Sequence, residues 1–317
     1  MIPWFLTGLG LFILLLGGDA LVKGAVNLSL RMGIPALIVS LTIVAFGTSA
    51  PELLISVNAV MDNKPGLALG NVVGSNTANI LLVLGVPALI SGLHTSECDT
   101  RKNYLTMIGA SLLFIGLAFR GTFDFFAGVV LLAALTYVLG DAMREARRHR
   151  RNCVANCEDE EDIEGADPDM PWWQISTFLI LGLIGLPLGA DLLVDNASII
   201  ARSFGISDSV IGLTLVALGT SLPELATTVM AALRKQADVA LGNVIGSNMF
   251  NLLAIIGVTS VIGNIPVAES FLEFDLWVML AASLMLIPFV FMSKDIGRTW
   301  GAVLSGLYIA YIGFVLC

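Results

Sequence analysis

Gly47-Thr48-Ser49-Ala50-Pro51-Glu52 lies in the middle of a hydrophobic stretch from Gly33 to Met61, and it returns as Gly219-Thr220-Ser221-Leu222-Pro223-Glu224 in a second stretch, Gly205 to Leu233. Each stretch is long enough to cross a bilayer, whose hydrocarbon core is about 30 Å thick and takes about 20 residues of helix. An acidic residue at the centre of a membrane helix costs roughly 2.5–3.5 kcal/mol on insertion scales, so such residues usually line an ion or substrate path. This chain carries that cost twice.

The two copies stand 172 residues apart, and the same offset relates Gly70-Asn71-Val72-Val73-Gly74-Ser75-Asn76 with Asn79 to Gly242-Asn243-Val244-Ile245-Gly246-Ser247-Asn248 with Asn251. The register reaches back to Asp19 and Asp191 without a gap. An internal duplication of Gly- or Pro-interrupted hydrophobic segments points to a transporter's binding site.

Composition excludes an ordinary soluble domain: 56% of residues are hydrophobic, 13% are charged, and the mean hydropathy is +0.89. Apolar runs predict an all-α polytopic membrane protein with ten transmembrane helices. In the first half they are Trp4 to Val22, Gly33 to Met61, Gly66 to Ser91, Tyr104 to Phe119 and Phe123 to Leu139. In the second they are Trp172 to Val194, Gly205 to Leu233, Val239 to Ile262, Phe271 to Met292 and Trp300 to Leu316. The first run lacks a basic start and a small-residue cleavage site, so it is read as a retained helix rather than a signal. Five spans per half is an odd number, so the second half enters from the opposite side and the repeats are inverted. The expected organisation is a first five-helix repeat over 1–140, a charged linker over 141–171, and the inverted second repeat over 172–317.

Of the 16 Lys and Arg, thirteen fall on one predicted side, among them the cluster from Arg144 to Arg151; only Lys64, Arg120 and Arg202 fall on the other. Under the positive-inside rule both termini face out and the central linker is cytoplasmic, in what is expected to be a prokaryotic plasma or inner membrane. The linker's acidic run, Glu158-Asp159-Glu160-Glu161-Asp162, contributes heavily to the net charge of −9. It reads as a solvated tether; an EF-hand fails because Pro171 falls where a bidentate Glu is needed. Cys98, Cys153 and Cys157 fall on the reducing side, and His149 with Cys153 and Cys157 lacks a fourth ligand for a metal. Asp19 has Lys23 one turn on, whereas Asp191 has Asp195; both aspartates read as helix-end or interfacial residues outside the ion set.

Pro51 removes a backbone N–H and clashes with the preceding turn, so the carbonyls around Ala45 to Thr48 are expected to lose intrahelical partners. Inside a bilayer those oxygens need a partner within the protein, and a cation can serve. Oxygen-only coordination suits hard ions such as Ca2+ and Na+. Each half offers a carboxylate (Glu52, Glu224), carbonyls at Thr48 or Thr220, hydroxyls at Ser49 or Ser221, and a Ser and an amide one turn apart, Ser75 with Asn79 and Ser247 with Asn251. Gly70, Gly74, Gly242 and Gly246 have the spacing that lets helices approach closely. With neither His nor Cys in this set, the donors argue against a zinc or copper site and against redox work.

These paired motifs resemble the alpha repeats of the cation/Ca2+ antiporter superfamily, in particular the prokaryotic sodium/calcium exchangers. The likeness is specific over Thr42 to Val86 and Thr214 to Val258. It implies antiport of Na+ and Ca2+ by alternating access, with the first and sixth helices sliding across a fixed core. It also implies an ion cluster at Ala45, Thr48, Ser49, Glu52, Ser75 and Asn79 with Ala217, Thr220, Ser221, Glu224, Ser247 and Asn251. K+-dependent members, and some K+-independent prokaryotic ones, carry Asp at one of the positions matching Asn79 and Asn251; two amides here argue against K+ dependence. The competing readings are an exchanger coupled to H+ or carrying another divalent ion, and a passive Ca2+ channel or membrane scaffold. No nucleotide loop, nucleophile dyad or nucleic-acid-binding pattern is present in the sequence, so the expectation is a transporter rather than an enzyme. It is expected to need no cofactor, to have Ca2+, Na+ and the lipid bilayer as partners, and to function as a monomer.

Overall fold

The computed structural model describes residues 2–153, 167, 169–205 and 217–316. The acidic run of the linker, Cys157, Cys317 and the start of the span predicted from Gly205 lie outside the described residues. The helices are α1 (Ile2–Met32), α2 (Ala36–Thr48), α3 (Ala50–Met61), α4 (Pro65–Ser91), α5 (Arg101–Ala118) and α6 (Phe125–Cys153). They continue as α7 (Trp172–Ser203), α8 (Ala217–Gly219), α9 (Leu222–Leu233), α10 (Ala237–Ile262), α11 (Phe271–Phe291) and α12 (Arg298–Leu316). Six of these are long and apolar enough to cross a bilayer alone, and the bent pair α2/α3 makes a seventh. With α5, the α8–α9 segment and α12, the chain makes ten passes in two five-helix repeats.

Hydropathy placed several helix ends too early. α1 and α7 run on to Met32 and Ser203, beyond the predicted Val22 and Val194, and α6 continues past Leu139 to Cys153 with the basic cluster on its last turns. Polar residues end an apolar run without ending a helix, because helical hydrogen bonds are satisfied within the segment wherever it lies. At about 1.5 Å per residue, α1 and α7 exceed the hydrocarbon thickness, so they tilt or project.

These two long helices are repeat mates and pack against each other along a glycine seam. A methyl group on Gly10 would stand 2.6 Å from the Leu193 nitrogen, and one on Gly189 would stand 2.8 Å from the Leu14 nitrogen. Only glycine permits backbone contact this close, which is how helices associate where hydrocarbon surrounds both. The outward face of α1, with Phe5, Leu11, Phe12 and Leu16 exposed, is apolar, as a lipid-facing surface must be.

α4 and α10 form the centre, with 72% and 78% of their most apolar windows buried, against 33% for α1. Two short β pairings tie the halves together at the ends of these helices. Thr122–Phe123 pairs antiparallel with Ile265–Pro266, and Leu93 bridges Ile296. The 172-residue offset carries Leu93 onto Ile265 and Phe123 onto the neighbour of Ile296, so each pairing is the repeat image of the other.

Candidate ion-binding site

Both interrupted helices break where the prolines predict. Ser49 leaves the helical region (φ −85°, ψ 2°), α2 and α3 meet at 43°, and Pro51 sits in the first turn of α3, where its missing N–H has no cost. Ser221 (φ −91°, ψ 3°) and Pro223 repeat the pattern ahead of α9. One detail departs from expectation. The Ala45 carbonyl keeps a backbone partner, the Ser49 N–H at 3.0 Å, and also accepts from the Thr48 hydroxyl at 3.3 Å. The carbonyl that Pro51 deprives is Gly47, four residues upstream. In the second break the Ser221 N–H goes to Leu218 instead, at 3.0 Å.

The carboxylates of Glu52 and Glu224 are buried at the first turns of α3 and α9, each with Oε2 lacking a hydrogen-bond partner. The Ser49 hydroxyl, from the first half, donates to Glu224 Oε1 of the second at 3.2 Å. Thr48 reaches Asn243 Oδ1 at 3.3 Å and stands 3.5 Å from the Ser247 hydroxyl. The site therefore lies between the halves.

Ser75, Asn79, Ser247 and Asn251 are buried on α4 and α10. At both asparagines the helix widens into one π turn, Asn79–Val83 and Asn251–Ile255, which re-aims side chains without ending the helix. Asn79 Oδ1, both polar atoms of the Asn251 amide, and the Ser221 hydroxyl lack partners. Unpaired buried polar atoms are rare and cost about 1–3 kcal/mol each. The helices that carry them pack together, α3 against the π turn at Asn251 and α9 against the π turn at Asn79, so carboxylates and amides of opposite halves lie on contacting elements, an arrangement that a cation could satisfy. Thr220 is half-buried at the second break, and Ala217 opens the short α8, its side chain outside the described set.

Gly242 and Gly246 do act in packing: a methyl on Gly242 would stand 2.8 Å from the Leu37 carbonyl, and one on Gly246 would overlap the Leu41 carbonyl. Their mates are not crowded by any described residue: a methyl on Gly70 would come no nearer than 3.9 Å, to the Phe271 ring, and one on Gly74 would meet nothing within 4 Å. Asp19 pairs with Arg234 of the other half at 2.6 Å rather than with Lys23, which lies over the Phe178 ring instead. The repeat mate of Arg234 is Asp62, so Asp191 has no equivalent pair available to it.

Sequence reasoning gave no role to Asn71 or Asn243. Asn243 donates to the Thr228 hydroxyl at 3.1 Å and the Glu224 carbonyl at 3.3 Å, while Asn71 donates to Ser56 at 3.2 Å and the Glu52 carbonyl at 3.5 Å. Both pairs obey the 172-residue offset, which was the available signal.

A family model described as sodium/calcium exchanger protein matches residues 2–140 and 175–317. The sodium/calcium exchanger MaX1 of Methanosarcina acetivorans is 34% identical, with 96% of this chain and 95% of that protein aligned. The inner membrane protein YrbG of Escherichia coli is also 34% identical, over 96% and 94% of the two chains. Among solved structures, the sodium-calcium exchanger NCX_Mj soaked with 10 mM Na+ and zero Ca2+ superposes with a TM-score of 0.82 at 34% identity, covering 98% of each chain.

Proposed function

The chain belongs to the sodium/calcium exchanger family, and on that premise we propose that it exchanges Na+ for Ca2+ by alternating access at the Glu52/Glu224 centre. As a member of that family it is a membrane transporter, not an enzyme, and needs no cofactor; the ions are its cargo. The observation that supports the reading best is the pair of buried carboxylates, one from each half, each with an unpartnered oxygen. Two negative charges match one Ca2+ or more than one Na+, so the two ions compete for the same oxygens, and the centre is costly to leave empty.

In this reading Glu52 and Glu224 supply charge, and the carbonyls of Ala45, Thr48, Ala217 and Thr220 replace water at the breaks. The hydroxyls of Ser49, Ser75, Ser221 and Ser247 and the amide oxygens of Asn79 and Asn251 complete the set. With amides at 79 and 251 there is no third carboxylate to demand K+. The unit of function is taken to be the monomer, because the site draws on both halves of one chain.

Radiolabelled Ca2+ uptake into proteoliposomes under imposed Na+, K+ or H+ gradients tests the coupling. Uptake should follow the Na+ gradient and ignore K+. Uptake driven by a pH gradient alone would replace this reading with H+ exchange, and uptake without any counter-gradient would make the protein a channel.

For orientation we propose cytoplasmic placement of the basic end of α6, with both termini outside, on the thirteen-to-three distribution of Lys and Arg. In intact cells an impermeant thiol reagent should leave Cys153 unlabelled until the membrane is opened. Labelling from outside would invert the assignment.

A further inference from the structure

At the contact between α4 and α10, Asn76 and Asn248 face each other as repeat mates. Asn76 Nδ2 donates to the Asn248 carbonyl at 3.2 Å, and Asn248 Nδ2 donates to the Asn76 carbonyl at 3.4 Å, with the Met107 sulfur 3.8 Å from the same nitrogen. Carbonyl oxygens and a thioether accept and cannot donate, so both positions must hold the amide nitrogen. The side-chain oxygen of Asn248 is thereby turned the other way, toward Asn79. Asn79 answers with its own nitrogen at 3.0 Å, which leaves Asn79 Oδ1 without a partner. The mirror bond is not made. Asn76 Oδ1 and both polar atoms of the Asn251 amide are buried and unpaired.

We propose that Asn248 is a positioning residue: its amide nitrogen, held by the Asn76 backbone carbonyl and the Met107 sulfur, fixes which face of the Asn79 amide points at the ion, so that Asn79 offers an oxygen before any cation arrives, whereas Asn251 is not pre-set. This rests on reading the Glu52/Glu224 centre as a Ca2+ site. Neither Asn76 nor Asn248 belongs to that coordinating set; their effect passes through Asn79. The two halves then contribute unequally to cation affinity despite their matching sequence. A ligand held in its binding orientation loses less entropy on coordination than one that must be turned and ordered by the ion.

A double-mutant cycle tests this in proteoliposomes with radiolabelled Ca2+. Asn248→Ala and Asn79→Ala should each raise the KM for Ca2+ about tenfold, the effect of one lost oriented hydrogen bond, and leave the maximal rate within about twofold. The double variant should be no worse than Asn79→Ala alone, because residues acting through one another are not additive. Asn76→Ala keeps the backbone carbonyl that holds the Asn248 amide and loses only a bond to the Asn248 backbone, so it should change KM less than about threefold and add independently to Asn79→Ala. A double variant near a hundredfold, or equal effects of Asn76→Ala and Asn248→Ala, overturns the proposal. If Asn248→Ala is not recovered folded, Asn248→Ser runs the same cycle with a small polar group kept at the contact. Thermal unfolding of the same proteins without divalent ions reads the 79–248 coupling separately. A wild type that carries no Ca2+ therefore refutes the reading of the centre, while additive melting shifts refute the positioning role.

Discussion

Glu52→Gln and Glu224→Gln should each cut Na+-driven Ca2+ uptake by at least about a hundredfold while the protein remains folded and inserted. Removing one charge from a compensated buried set costs about 3–5 kcal/mol, and about 1.4 kcal/mol is a factor of ten in affinity. Glutamine keeps the volume of the side chain, so packing around α3 and α9 is retained. The sign of the stability effect separates this reading from a structural one. Without ions, two buried carboxylates carry an uncompensated desolvation cost, and neutralising one relieves part of it. Each variant should therefore melt no lower than wild type in ion-free buffer. Wild type should gain thermal stability as Ca2+ is added, because a ligand that binds only the folded state stabilises it by mass action. Neither variant should. Ca2+ transport retained by either single variant, or a large loss of ion-free stability in both, would refute the paired-carboxylate centre.

Gly246→Ala is the second large effect expected. The added methyl would overlap the Leu41 carbonyl and stand 2.6 Å from the Ala45 side chain, and neither neighbour is the free end of a flexible group. Overpacking of this kind costs about 1–3 kcal/mol. Here it also pushes α2 away from α10, which separates Thr48 from Asn243 and Ser247. Transport should fall by more than the lost stability explains, measured as uptake per folded protein. Gly109→Ala is the control: it lies on an exposed face of α5 with nothing within 4 Å, where alanine favours the helix. Equal melting temperatures and transport in the two variants would show that the α2–α10 approach does not hold the site.

Much of the architecture was legible because the chain states it twice. A repeated Pro-Glu in the middle of an apolar span has few physical explanations, and a constant 172-residue offset identifies partners residue by residue. Hydropathy located each pass whose helix is described. It set several ends too early because it measures where hydrocarbon ends, and helical hydrogen bonding does not stop there. The π turns at Asn79 and Asn251 left no comparable mark. They redistribute hydrogen bonds along a backbone whose side chains still read as continuous helix.

The sequence by itself determined the class of protein, the duplication, and which carboxylates, hydroxyls and amides could meet an ion, since each follows from residue type, spacing and the exclusion of water from a bilayer core. Only the tertiary structure decided who meets whom across the two halves. Ser49 serves Glu224 rather than its neighbour Glu52, Arg234 rather than Lys23 takes Asp19, and Asn248 but not Asn76 holds the amide of its opposite half. A repeat prescribes identical local chemistry in both copies, but contacts between the copies depend on how two packed helices settle against each other. Such packing distributes hydrogen bonds by distances of a few tenths of an ångström that spacing along the chain does not encode.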